Sequence, residues 1–388
     1  MHSRIWLSSP HMSGKEMQFV EEAYESNWIA PLGKNVDEFE LAIQNFTGSS
    51  YCASLSSGTA AIHLALILCD VKKDDYVLCQ SMTFAATANP IKYVGATPVF
   101  IDSEPDTWNM SPELLEEAII DCLEGRLKTN DGLRLFGAKR PKAIIPVHLY
   151  GMPANMSAIT RIAEKYDIPV IEDAAESIGS EFNHQATGTF GTFGIFSFNG
   201  NKIITTSSGG AIVSNHKELI EKAKFLATQA RDDAAHYEHS VVGYNYRLSN
   251  VLAGIGRGQM EILSTRVEQR RRVNNWYRAF LEDIDGVSFQ SEPSEKYFSN
   301  YWLTAITLSP QYLSISAEEL RKELEAHNIE SRPLWKPMHL QPVFRNAPVY
   351  NENVSELLFE CGLCLPSGSN LSASDLQRIK SSILNILL

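Results

Sequence analysis

Long apolar stretches are missing from this chain. None of its 388 residues belongs to a run approaching the roughly twenty apolar positions of a membrane-spanning helix, and Met1 to Pro10 hold no extended apolar core of an export signal. The expectation is a cytoplasmic protein with no membrane partner. A basic excess is missing as well: 34 Lys and Arg stand against 46 Asp and Glu, a net charge of −12, which argues against nucleic acid as a partner. No helix-turn-helix extension or basic segment marks a DNA-binding regulator. Cysteine is sparse, and the six at 52, 69, 79, 122, 361 and 364 sit in mostly apolar surroundings, as reduced core residues do. Cys361-Gly-Leu-Cys364 has the spacing of a metal or redox pair but lacks a second pair, so no metal site is expected. Internal repeats and low-complexity tracts are also absent. What remains, at 44% hydrophobic, is enough core for an enzyme of two domains.

Short apolar runs at 51–55, 75–79, 97–101, 143–149, 168–172, 194–198 and 210–214 alternate mostly with helical stretches, the pattern of a largely parallel sheet. Between Asp102 and Ala143 one helix near 112–123 is followed by a polar surface excursion, Glu124 to Lys142. From Ser249 to about Asp285 helical periodicity continues over many turns, with Arg266 and Arg270 to Arg272 mostly on the wet side; one helix joining two domains is expected. Tyr301 to Leu308 and a helix over 317–327 suggest a smaller α/β domain. The boundaries are 1–250 for the large domain and 251–388 for the linking helix and small domain.

Three local patterns carry chemistry. Gly191 to Gly210 places Lys202 just beyond an apolar strand, in a glycine-punctuated turn whose aromatic and Ile neighbours offer burial. A lysine there is commonly a solvated charge; buried, it becomes a Schiff-base nucleophile. Asp167 to Gly179 reads as a buried strand ending at Asp173, on the edge where open α/β sheets bind ligands, although an Asp there also caps helices. Tyr51 to Leu66 is a strand, a small-residue turn at Ser57-Gly58-Thr59 and an apolar helix, which offers free backbone N–H groups to a phosphate. It is neither a Walker loop nor a dinucleotide fingerprint. A phosphate cradle, an acid at a strand end and a buried lysine together match pyridoxal 5′-phosphate, which is held at its phosphate, its ring nitrogen and its aldehyde.

These motifs, with Thr83-Phe84-Ala-Ala-Thr-Ala-Asn-Pro, Pro98 to Asp102, Val147-His-Leu-Tyr-Gly151, Glu172-Asp-Ala-Ala-Glu176, Phe196 to Lys202 and Gly243 to Asn250, resemble the DegT/StrS sugar aminotransferases over almost the whole chain. The resemblance implies an α/β, aspartate-aminotransferase-like (fold type I) architecture with a mostly parallel central sheet and a smaller C-terminal α/β domain. It implies Lys202 as the Schiff-base lysine, Asp173 as the ring-nitrogen partner, Phe84 as the stacking aromatic, and Ser57, Gly58, Thr59 and Ser197 around the phosphate. Asn245 would reach the phosphate of the other subunit, so a homodimer with shared sites is expected. Many relatives carry Gln or His at the position of Glu176, near the cofactor's phenolic oxygen; an ionised Glu would oppose a phenolate, so a protonated or displaced Glu176 is implied. Trp28, Arg332 and His339 fall in segments bordering the family's cleft and become candidate substrate contacts; His148 is a further candidate, although a histidine at the end of an apolar strand is more often a satisfied core residue, and Trp28 and Trp335 could simply pack cores.

The stretches Ser26 to Gly33, Asn199-Gly200-Asn201 and Leu365 to Ser369 are most similar to enzymes that aminate C4 of a UDP-linked 4-keto-6-deoxy-N-acetylhexosamine, as in bacillosamine synthesis. L-Glutamate would supply the amino group, with pyridoxamine 5′-phosphate carrying it between two half-reactions. A keto sugar leading to perosamine or a pseudaminic acid precursor is the alternative. Relatives that dehydrate carry His in place of the lysine; Lys202 therefore favours transamination.

Overall fold

The computed structural model describes residues 3–135 and 137–387. Two helices, α1 (Glu16–Glu25) and α2 (Lys34–Thr47), precede the first strand, β1 (Tyr51–Leu55). The chain then runs through α3 (Gly58–Leu68), β2 (Tyr76–Gln80), α4 (Ala85–Tyr93), β3 (Thr97–Ile101), α5 (Pro112–Glu124), β4 (Ala143–Ile145), α6 (Met156–Tyr166), β5 (Ile171–Asp173), β6 (Phe193–Ser197), β7 (Gly210–Ser214) and α7 (Lys217–Ala227). Each of these seven strands falls on one of the apolar runs in the sequence. They lie side by side in the order β3-β2-β4-β5-β6-β7-β1. Neighbours from β3 to β6 are parallel, with β4 and β5 joined by bridges at Ile144–Val170 and Val147–Asp173. Only β7 runs against its neighbours.

Alternation along the strands sends successive side chains to opposite faces. Val77, Cys79, Phe100 and Ile145 pack with α3, α4 and α7, whereas Leu78, Val99, Ile101 and Ile144 pack with α5 and α6. Both faces are thereby covered by helices, and the strand ends stay free to build a site.

The expected single linking helix is two helices, α8 (Asn250–Met260) and α9 (Leu263–Leu281), interrupted at Glu261 and Ile262. Close packing fixes α8: a side chain at Gly258 would overlap the backbone of Glu16 on α1, one at Gly254 would strike the Asn35 amide on α2 and press on the Phe19 carbonyl, and one at Gly256 would strike the Phe39 ring. Arg266 and Arg270, expected on the wet side of α9, are buried. Their guanidinium groups donate to backbone carbonyls of His11, Met12, Trp302 and Ser367, which explains how cations sit inside.

After α9 the chain forms an antiparallel sheet in which β8 (Val287–Phe289), β9 (Thr304–Leu308) and β10 (Arg332–Pro333) join a last strand, Gly362–Leu365. It packs on α9 and on helices 317–326 and 373–387. One short strand from this half, β11 (Val349–Tyr350), pairs in parallel with β3. Asp102, just past β3, secures that junction: its carboxylate accepts N–H groups from Ser103 at 2.8 Å and from Glu352, Val354 and Ser355 at 3.0 Å, capping the helix Val354–Cys361 from a distance. Replacing Asp102 by Ala should leave those buried donors unpaired and lower unfolding free energy by about 3 kcal/mol, read from the urea midpoint of the apoprotein.

Candidate active site

The C-terminal ends of β5 and β6 and the N-terminus of α3 enclose a cleft of about 930 Å³, part of it open to solvent. Its lining contains Ser57, Gly58, Thr59, Phe84, Asp173, Glu176, Ser197 and Lys202, eight of the nine residues expected around the cofactor. Segments separated by more than a hundred residues therefore meet in one place.

Helix α3 begins where a small-residue turn allows it. Ser57 is extended and caps the helix by accepting the Ala60 N–H, and its carbonyl accepts the Ala61 N–H. Gly58 and Thr59 precede the first intrahelical bond, so their N–H groups have no partner within the helix and face a favourable dipole end. The fit is tight. A Cβ on Gly210 would collide with the Gly58 nitrogen and the Ser57 carbonyl carbon, and one on Gly58 would lie 3.4 Å from Ser197 Cβ. Glycine at 210 is what lets β7 lie against the start of α3, with Ser197 beside it.

Asp173 ends β5 and is held by both oxygens: Oδ2 accepts the Thr87 hydroxyl at 2.6 Å and Oδ1 the Ala175 N–H at 3.1 Å. Glu176 lies one turn further on, buried, accepting the Tyr150 N–H at 2.7 Å. Tyr150 has a φ of +56°, a conformation a non-glycine residue adopts only under constraint. Lys202, five residues past β6, places Nζ 3.4 Å from Glu176 Oε1 and 4.0 Å from the centre of the Trp302 indole. Burial pushes the Glu176 carboxyl above the ordinary carboxylate range, against the opposing pull of the Lys202 ammonium and the Tyr150 N–H. The family resemblance implies a protonated or displaced Glu176, and the raised direction bears on the first of these.

The other candidates lie elsewhere. Asn245 is exposed outside the cleft, as is Trp28, whose carbonyl accepts the Asn250 amide. Arg332 is exposed on β10 and paired with Glu330 at 2.7 Å. Two histidines require correction. His148 is fully buried between Glu172, 3.0 Å from Nε2, and the Ala154 N–H, which donates to Nδ1. His339 is buried between Ser81 at 2.6 Å and Glu356 at 3.1 Å. With both ring nitrogens engaged, neither has an edge left for substrate. Conversely, Thr87, Asn199, Asn201 and Trp302 line the cleft without having been singled out, and Trp335 faces Phe84 with ring centres 5.5 Å apart. Thr87, Asn199 and Asn201 lie inside recognised motifs; no local pattern marks Trp302.

A profile of the DegT/DnrJ/EryC1/StrS aminotransferase family matches residues 10–384. The chain belongs to that family. This aminotransferase is 51% identical over 390 residues to the Bacillus subtilis protein EpsN, named as a pyridoxal phosphate-dependent aminotransferase, across 100% of this chain and 96% of that one. It is 33% identical to GDP-perosamine synthase of Caulobacter vibrioides, across 99% of this chain and 98% of the relative. A solved DegT DnrJ EryC1 StrS aminotransferase from Brucella abortus shares its fold with a TM-score of 0.86 at 30% identity, covering 96% of this chain and 95% of that one. The protein is thus a pyridoxal phosphate-dependent sugar aminotransferase.

The donor set of the cleft fits that cofactor. Unpaired helix N–H groups suit a phosphate dianion, a fixed carboxylate suits a pyridine nitrogen, and a single lysine suits an aldehyde. Because Glu176 titrates higher in the folded apoprotein than in the unfolded chain, its contribution is fully present below the unfolded value near 4.5 and is lost as pH rises through the folded value. Glu176→Gln should therefore raise the melting temperature of the apoprotein at pH 8, and that gain should shrink steadily towards pH 5 in a pH series of melting curves.

Proposed function

We propose that this protein transfers the amino group of L-glutamate to C4 of a UDP-linked 4-keto-6-deoxy-N-acetylhexosamine. One observation carries the reaction type: the Lys202 amine lies beside Glu176 on the wall of a cleft that also holds Asp173 and the N-terminus of α3. Bound pyridoxal phosphate supplies a carbonyl that condenses with amines and a ring that takes up the electron pair left when a carbon next to nitrogen loses its proton.

The chain's own residues do the rest. Gly58, Thr59 and Ser197 would hold the phosphate, and Phe84, on the same cleft wall, would stack on the ring. Asp173, oriented by Thr87 and Ala175, would keep a proton on the ring nitrogen and so make the ring a better electron acceptor. Lys202 takes the proton from the α-carbon of glutamate and, in the second half, delivers one to C4 of the sugar. Glu176, whose carboxyl burial holds above the ordinary carboxylate range, would oppose the phenolic oxygen less than an ordinary carboxylate does. Asn245, exposed on each protomer, reaches the phosphate of the partner site in a homodimer. An active monomer, identified by sizing with light scattering, would remove that role.

The UDP sugar is supported by the segments Ser26 to Gly33, Asn199 to Asn201 and Leu365 to Ser369. The GDP-perosamine synthases at 33% and 34% identity favour a second reading, a different keto sugar nucleotide. A cytoplasmic location accords with six free cysteines, four of them buried. Incubation with L-glutamate and a panel of UDP-, dTDP- and GDP-linked keto sugars, with products identified by mass and NMR, distinguishes the readings. The expected product is a UDP-linked 4-amino sugar with stoichiometric 2-oxoglutarate. Lys202→Ala should show neither product nor the visible absorbance of lysine-bound cofactor; normal turnover by that variant would sink the assignment.

A further inference from the structure

Trp302 heads the fully buried side chains in size, at 1% exposure, yet it lines the cleft and lays its indole face against the Lys202 amine. Its placement is over-determined. The indole N–H donates to the Asn201 carbonyl at 2.8 Å, the peptide oxygen directly before Lys202, and that oxygen also accepts the Ser8 hydroxyl at 2.6 Å. The Trp302 backbone N–H donates to Asn300 Oδ1 at 2.8 Å, and its carbonyl accepts from the Arg270 guanidinium at 3.1 Å. The Asn300 amide in turn donates to the carbonyls of Glu176 and Ile178, each at 3.0 Å. The ring plane is thus tied to the backbone on both sides of the Lys202–Glu176 pair.

An indole face is negative at its centre and attracts an ammonium group more than a neutral amine. Burial works the other way, disfavouring the charged form of a lysine. Asp173, Glu176 and Lys202 are the charged residues in the cleft lining, and Glu176, held above its ordinary range, is an incomplete counter-ion. An aromatic face therefore supplies what a carboxyl disfavoured as an anion by burial withholds. It does so without a further carboxylate beside Asp173 and Glu176, whose charge would repel the phosphate.

We infer that Trp302 is a positioning residue for transamination, holding the free Lys202 amine on the cleft wall and stabilising its protonated state between taking up and delivering a proton. This rests on Lys202 as the proton carrier. During each half-reaction a proton leaves carbon, resides on Nζ and returns to carbon. Without the indole, the loaded amine would be less stable and its placement less certain.

The test begins with apoprotein, so that its outcome is independent of turnover. Pulse acetylation of Lys202, quantified by peptide mass from pH 6 to 10, is compared for the wild type, Trp302→Phe and Trp302→Leu. In Trp302→Leu the pH dependence should move down by about one unit, giving about tenfold faster labelling near neutral pH, with a smaller displacement for Trp302→Phe. A cleft that is merely opened would speed labelling at high pH while hydration of the ammonium moves the pH dependence up or leaves it in place; that result, or wild-type behaviour in folded variants, overturns the inference. Should Trp302→Leu fail to fold, fluorinated tryptophan withdraws electrons from the ring at nearly constant shape and must give the same downward displacement. In the holoenzyme, the single-turnover rate with L-glutamate should fall about tenfold in Trp302→Leu while KM stays within twofold. Borohydride reduction of the wild-type holoenzyme separates the two ideas: cofactor fixed to a lysine other than Lys202 would overturn the reading of Lys202 itself, whatever the acetylation of the Trp302 variants shows.

Discussion

A lysine and two carboxyl groups, both of the latter buried, share one cleft, and the cost of removing such groups from solvent governs what surrounds them. Lys202 is offset by Glu176 and the indole of Trp302. Asp173 is offset by a hydroxyl and a backbone N–H. Glu176 accepts a backbone N–H that Tyr150 can aim only by adopting a left-handed conformation, with Gly151 at φ +98° beside it. The strain at Tyr150 and the network through Asn300 and Arg270 are consequences of keeping these three groups together.

The sheet makes the meeting possible. Parallel strands end on one edge, so Asp173 and Ser197, on adjacent strands, arrive there together. The reversed strand β7 enters beside them and, through Gly210, lets α3 approach closely enough to complete an amide-lined pocket. The small antiparallel sheet contributes from the other side, since Trp302 lies just before β9 and Trp335 just after β10. Both halves of the chain thereby line the cleft, with Asp102 fastening one to the other.

Some elements were legible because their signals are local. Seven apolar runs mark seven strands, since buried parallel strands are apolar along their whole length. The break between α8 and α9 was not legible: a two-residue interruption leaves apolar spacing nearly continuous, and it is packing of three glycines on α1 and α2 that sets where α8 ends. The buried arginines misled for a related reason. Arginine is ordinarily solvated, and only the backbone carbonyls of distant segments make Arg266 and Arg270 interior residues.

The same division runs through the cleft. Lys202, Asp173 and the Ser57 turn could be read from the chain because each sits at or just past a strand end or helix start whose neighbours announce it, whereas Glu176 entered only through the family resemblance. The burial of His148 and His339, the hydroxyl partner of Asp173 and the indole on Lys202 could not, because each depends on which side chain a remote segment delivers. Backbone hydrogen bonding and hydrophobic alternation act over a few residues and leave a linear trace. Ion pairing, ring contact and exclusion of water act through space, and folding alone sets those distances.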